Sequence, residues 1–307
     1  MLIYFAMKRK VIQIANSTQL VSLPRDWAKA NNVQKGDEVE VNASEQGVLI
    51  SLGAVVKPMK RADVRAEDPF TARLMVSALY KGGYDEIKLT FDDPELLLQT
   101  QSFVSENCIG FEVVDQAKNA LVLRKISDTI HREFDSVFKR LLVFVKNMAQ
   151  GTAAASQTHD KDGYKNVAYM DSSVNKFAYF CLRSLNKHPE TRKEPVGPLY
   201  SVIDRLEGIG DGYKELCNLL TETKAITPAL LRAIRQLDEY LSLTLMALQK
   251  LDLTKLPELL RKGAVMRDTV DKIIRAQPQS RVGETLNDIT ITIRNMASPI
   301  VLLSYHE

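Results

Sequence analysis

Asp171, Asn175, Glu207 and Asp211 are the side chains of this 307-residue chain whose types and spacing best fit a binding chemistry. Each pair is spaced i,i+4, which on an α-helix places both members one turn apart on one side. Around the first pair, Tyr164, Val167, Val174, Ala178, Leu182 and Leu185 recur at three- and four-residue steps. They form an apolar seam, and Asp171 and Asn175 point into it. Around the second pair, Leu199, Val202, Ile209, Tyr213, Leu216 and Leu220 form a seam in the same way, while Asp204, Glu207 and Asp211 fall on an arc of about 60° beside it. A buried carboxylate without a partner is strongly unfavourable, so Asp171 requires a cation, a hydrogen-bond network or a proton. Four oxygen-bearing side chains on neighbouring antiparallel helices suit a divalent metal or iron, with Mg, Mn, Fe and Zn as candidates. Two alternatives stand beside this. The exposed-face reading fits Asp204 and the Glu207–Asp211 pair. A core aspartate satisfied by Ser or Tyr fits Asp171.

The stretch LEGIGDGYKEL (Leu206 to Leu216) carries Gly208, Gly210 and Gly212 at alternate positions. Each glycine inside a helix costs roughly 1 kcal/mol against alanine. Gly210 falls between seam and carboxylates, where a missing side chain lets a neighbouring helix or an ion come close. Gly208 and Gly212 form a small-residue ridge on the far side.

Other chemistries find little support. Cys108, Cys181 and Cys217 are widely spaced, with no CxxC, which implies a reducing compartment without a disulfide framework. Cys181 and Cys217 lie on the two motif helices and are expected in the core, within possible reach of each other. Four scattered histidines include no HExxH; His131, His159 and His188 fall near helix ends and are expected to face solvent. No Ser/His/Asp or Cys/His set assembles, so the chain is not expected to be an enzyme. No apolar run is long enough to span a bilayer. Met1 to Ala6 read as an extension upstream of Met7. The expected location is cytoplasmic.

The elements that must position these residues fall into three zones, giving an α+β chain. Residues 7–53 contain two short strands around Asn16–Ser17, with Val11, Ile12 and Ile14 on the first and Leu20, Val21 and Leu23 on the second. A helix begins at Pro24 and runs to about Ala30. The turn KGD leads into a strand alternating through Val39 and Val41, and GVLISL is the last strand. A unit this small is marginal alone and is expected to dimerise. Trp27 belongs to the core of that dimer. Residues 54–126 form a mixed-charge linker (GAVVKPMKRADVRAEDPF) and a small α/β segment: a helix over Thr71–Lys81, a strand in YDEIKLTF, a helix over Asp93–Glu106, and a strand pair. Residues 127–307 are all helical. Breaks near Gly151–Gly163, Pro189–Pro198, Thr223–Pro228, Asp252–Pro257 and Gln277–Gly283 predict six helices of about 20–30 residues in a bundle.

Two resemblances follow. STQLVSLPRDWAKANNVQKGDEVEV resembles the AbrB/SpoVT/MazE family of swapped-hairpin domains, in which two chains interleave hairpins and present basic residues to DNA. The helical zone resembles PhoU, a regulator of phosphate uptake built of two three-helix repeats. LEGIGD (Leu206 to Asp211) matches that family's Leu-Glu-Arg-Ile-Gly-Asp stretch except at Gly208, and DSSVN (Asp171 to Asn175) matches its E/D-xxx-D pair with Asn in place of the second Asp. Such pairs bind metal clusters in some members. The combination is one associated with archaeal regulators. In the second repeat Arg267 and Asp271 stand where the first has Asp171 and Asn175, and Asn287 and Ile291 replace Glu207 and Asp211. Arg267 and Asp271 are expected to pair directly, so a second metal centre is not expected.

Net charge is only +3, so a nucleic-acid partner needs a local patch. Lys8, Arg9, Lys10, Arg25 and Lys29 supply one, doubled in a dimer, while Asn16, Ser17, Thr18 and Gln19 are placed to read base edges. Asp26, Asp37, Glu38 and Glu40 oppose it. The resemblances thus imply a homodimeric regulator that binds double-stranded DNA and controls phosphate uptake. The alternative is an adaptor that contacts a phosphate transporter or sensor kinase without touching DNA.

Overall fold

The computed structural model describes residues 8–14, 18–44, 47–52, 59–127, 133–278 and 280–305. Met1–Ala6, Asn16, Ser17 and His131 lie outside the described residues. The protein is α+β, with an N-terminal strand region and a mostly helical C-terminal part. It divides into two units, Met1–Pro58 and Met59–Glu307.

In the first unit β1 (Ile12–Ile14) pairs antiparallel with β2 (Thr18–Leu20), and β3 (Glu40–Ser44) pairs antiparallel with β4 (Gly47–Ser51). Helix α1 (Arg25–Ala30) lies between the hairpins in sequence. Pro24 caps it rather than opening it, because its ψ of 126° is extended. No described side chain in this unit is buried.

The second unit begins with β5 (Arg61–Ala66), α2 (Pro69–Lys81), β6 (Glu86–Phe91), α3 (Glu95–Asn107), β7 (Phe111–Ala117) and β8 (Ala120–Lys125). The expected linker therefore carries a strand. RADVRA has only one large apolar residue, Val64, so its strand character comes from parallel pairing to β6 and not from its own pattern. The sheet order is β5-β6-β8-β7, antiparallel except for β5–β6. Alternation in EIKLTF sends Ile87, Leu89 and Phe91 into a core with Val76, Tyr80, Leu96 and Val104 from the two helices. Asp68 caps α2 through Thr71 N at 2.9 Å, with Pro69 at the first helical position.

The helices α4 (Phe134–Thr158), α5 (Lys161–Tyr169), α6 (Asp171–Lys187), α7 (Val196–Glu222), α8 (Pro228–Lys250), α9 (Leu256–Ala276), α10 (Arg281–Arg294) and α11 (Ala297–Ser304) follow. Two expected rods are broken, at Met170 and at Asn295–Met296. Gly151 was expected near a break, yet α4 runs through it. A Cβ there would come within 2.7 Å of Val167 Cγ2, so this glycine admits α5 instead of ending α4. Helices α4, α6 and α7 pack on one another, α9 packs on α8 and α10, and the two groups meet through α4 on α8 and α7 on α10. The apolar seams expected on α5–α6 and on α7 are all buried.

The sheet lobe docks on α6. Arg183 Nη1 donates to Tyr80 O (3.0 Å) and Tyr84 O (2.6 Å), and Asn186 Nδ2 donates to Lys81 O at 2.8 Å. Buried Asp85 gathers Lys125 at 3.2 Å and Lys187. Tyr179 on α6 packs against both cores.

Candidate functional site

The break at Met170 makes Asp171 the first residue of α6, where unpaired backbone N–H groups favour a carboxylate. Gly210 lets α7 approach: a Cβ there would meet Val174 Cγ1 at 2.7 Å and Asp171 Oδ1 at 3.5 Å. The close approach that the sequence suggested for Gly210 is thus present. Gly212 serves a different neighbour, since its Cβ would meet Ile289 Cγ1 of α10 at 2.5 Å. Gly208 faces open space, so the expected Gly208–Gly212 ridge does not form.

Asp171 is 2% exposed. Its Oδ2 accepts from Lys214 Nζ at 2.8 Å and from Asn175 Nδ2 at 3.2 Å. Asp171 Oδ1 and Asn175 Oδ1 are buried with no hydrogen-bond partner among the described residues. Asp211 is pushed up, by burial first and then by the negative Asp171, with which it shares a hydrogen bond when protonated. Burial, with Asp211 adding to it, raises Glu207 to about 7; the Lys81 ammonium opposes that rise. Burial tends to lower Lys214, but its bond to Asp171 and the charges of Asp171, Asp211 and Glu207 raise it overall. Tyr179 is raised by burial and by Glu207 and Asp211. Lys81 Nζ, from the sheet lobe, lies 4.7 Å from the Tyr179 ring centre.

Asp171, Asn175, Glu207 and Asp211 therefore share one neighbourhood between α6 and α7, at the junction with the sheet lobe. Asp204 is exposed, as its solvated-face reading had it. The partners of Asp171 are Lys214 and Asn175, neither the Ser nor the Tyr weighed from sequence. Lys214, Tyr179 and Lys81 escaped the sequence reading. Lys214 was accessible to it, lying three residues after Asp211 on the same face. Lys81 was not, because it arrives from a separate lobe.

The donor set fits a metal only in part. Two buried oxygens lack partners, as a cation site requires. However, no group of three or more His, Cys, Asp or Glu gathers closely enough to hold a metal among the described residues. Lys214 already supplies a positive charge to Asp171. What the arrangement does by itself is hold protons: three carboxyls (Asp171 buried, Glu207 half-buried, Asp211 exposed) face two ammonium groups, with Glu207 balanced near neutrality.

The second repeat corrects one expectation. Arg267 and Asp271 form no ion pair with each other or with any described residue, although they stand one turn apart. The cysteines remain separate free thiols, Cys217 Sγ lying 3.3 Å from Thr152 Oγ1. His159 does not face open solvent, since its Nε2 lies 2.9 Å from Thr223 O. Nor does His188, whose side chain is 17% exposed.

In the first unit Lys8, Arg9, Lys10, Thr18, Arg25 and Lys29 are all exposed. So are Val11, Ile12, Ile14, Leu20, Val21, Val41 and Val48. Two hairpins whose described apolar residues are exposed, apart from the half-buried Ile50, have no core of their own within one chain. Trp27 is half-buried.

A family model described as antidote-toxin recognition MazE, bacterial antitoxin, matches residues 12–61. No curated protein and no solved structure matches the chain. The match supports the expected swapped-hairpin domain of DNA-binding regulator type for this segment. Among the described residues, no helix is long and apolar enough to cross a membrane.

Proposed function

We propose that the chain is a cytoplasmic, homodimeric, DNA-binding transcriptional regulator of phosphate uptake, whose helical part senses a signal. The observation that carries the DNA-binding half is the N-terminal unit: it resembles a MazE-type module, and it exposes its apolar hairpin faces in a single chain. Interleaving two copies covers those faces and doubles the cationic set of Lys8, Arg9, Lys10, Arg25 and Lys29. Those residues then contact phosphates, and Asn16, Ser17 and Thr18 read base edges. The phosphate half stands on the likeness of LEGIGD and DSSVN to PhoU. The test is affinity for the DNA upstream of the chain's own gene, measured at several salt concentrations. Roughly five to eight phosphate contacts give a slope of about −5 to −7 in log K against log salt. Undetectable or salt-independent binding removes the DNA half and leaves the adaptor to a phosphate transporter or sensor kinase.

A second reading of the α6–α7 centre, a bound divalent metal or iron, is favoured by the unpartnered Asp171 Oδ1 and Asn175 Oδ1. In that reading Asp171, Asn175, Glu207 and Asp211 are its ligands and Lys214 swings away. Elemental analysis of chain purified without chelator decides it.

A further inference from the structure

The second repeat has an inverted version of the acidic centre. A groove of about 210 Å³ between α9 and α10 is walled by Arg267 and Asp271 on one side and by Asn287, Ile291 and Arg294 on the other. These positions match, in repeat order, Asp171 and Asn175, then Glu207, Asp211 and Lys214. Where the first repeat gathers three carboxyls around one lysine, the second gathers two guanidinium groups around one carboxylate. The charge of the wall has changed sign.

Neither arginine is consumed by the fold. Arg267 is exposed, Arg294 is half-buried, and no carboxylate lies within ion-pair distance of either among the described residues. A third donor stands behind them. Tyr240 of α8 is fully buried, and its hydroxyl has no partner among the described residues. A Cβ on Gly263, which lines the groove, would lie 2.6 Å from Tyr240 Oη. The glycine thus makes room for the hydroxyl, which lies behind the lining of the groove. Both arginines act on it: burial raises Tyr240 to about 12, while Arg294 and Arg267 pull the other way.

The wall is also selective. Thr290 Oγ1 donates to Leu286 O at 2.7 Å, so it offers the groove only an acceptor. Asp271 offers another acceptor. A fully deprotonated tetrahedral anion such as sulfate has nothing to donate to them and is repelled by Asp271. Hydrogen phosphate carries an O–H at neutral pH. It can donate that proton to Asp271 while its other oxygens accept from Arg267, Arg294 and Asn287 Nδ2.

We propose that the groove between α9 and α10 is an oxyanion site for hydrogen phosphate, held by Arg267 and Arg294, with Asp271 as the acceptor that rejects sulfate. The site goes beyond the proposed function, since it holds whether or not the chain touches DNA.

The experiment is calorimetric titration of the full chain at pH 7 with inorganic phosphate, glycerol phosphate and sulfate in parallel. Inorganic phosphate is expected to bind at least tenfold more tightly than sulfate. The Arg267→Gln, Arg294→Gln double variant, with unchanged circular dichroism, is expected to lose binding by a hundredfold or more. Asp271→Asn is expected to bring phosphate and sulfate together. Glycerol phosphate, mostly a dianion without an O–H at pH 7, is expected to bind as weakly as sulfate. Absence of binding by inorganic phosphate, glycerol phosphate binding as tightly as inorganic phosphate, or binding that the double variant leaves intact, overturns the proposal.

Discussion

Replacing Glu207 with glutamine tests the α6–α7 centre most directly. In the unfolded chain this carboxyl titrates near its ordinary 4.5, and in the fold it is raised to about 7. Below pH 4.5 both states hold the proton, and the group has no effect on stability. As pH rises from 4.5 to 7 the unfolded chain releases its proton first, so the folded state loses ground progressively. Above 7 the loss is complete and constant. The difference corresponds to about 3 kcal/mol, and partial exposure of Glu207 reduces it to about 1–3 kcal/mol. Glutamine has the same shape and no proton to lose. The variant should therefore match the wild type at pH 4 and exceed it by about 1–3 kcal/mol at pH 8. That corresponds to roughly 2–10 °C in Tm for a unit of this size. Thermal unfolding followed by circular dichroism at pH 4, 6 and 8 measures it. A Tm at or below wild type at pH 8, or a gain independent of pH, would refute the reasoning. A loss at pH 8 reversed by added metal would instead show Glu207 working as a ligand.

Lys214→Met removes the ammonium from a carboxylate that is almost wholly buried; it should destabilise the helical unit by about 2–4 kcal/mol. Adding Asp171→Asn to it should recover most of that loss in urea unfolding. Gly210→Ala places a methyl group 2.7 Å from Val174 Cγ1, which should reduce stability by about 1–3 kcal/mol. Gly208→Ala meets nothing within 4 Å and should instead gain about 0.5–1 kcal/mol from helix propensity; equal effects at the two sites would contradict the packing described. Chain purified without chelator should carry stoichiometric metal only if the second reading of the centre holds, and Asp171→Ala would then abolish it. By elemental analysis, a metal-free protein of full stability leaves Lys214 as the cation.

The helical seams were legible because packing against a core demands a period of 3.6 residues. Tyr164 to Leu185 and Leu199 to Leu220 show that period without reference to any neighbour. The same arithmetic placed Asp171 and Asn175 in a seam, and so pointed to a buried carboxylate. The hairpins of the first unit were legible from short alternating runs around turn residues. Strand β5 was not, because RADVRA is polar and owes its conformation to β6, which lies twenty-odd residues away in sequence. The break expected within Gly151–Gly163 falls at His159–Asp160, not at Gly151 itself, because a glycine's cost in a helix is local, whereas its benefit, admitting Val167, is set by another helix.

By itself, then, the order of residues determined the helices and hairpin strands, though not β5, and placed Asp171 facing inward, since these depend on periodicity along a single rod. Only the tertiary structure decided what that carboxyl meets. The ammonium of Lys214 was within reach of sequence reasoning, but its bond to Asp171 was not. Lys81 joins the centre because a separate lobe docks on α6, which itself carries Tyr179, and Arg267 and Asp271 stay apart although their spacing allows them to meet. Partnership is a property of distances in space, and a one-dimensional pattern constrains only those that one helix turn can span.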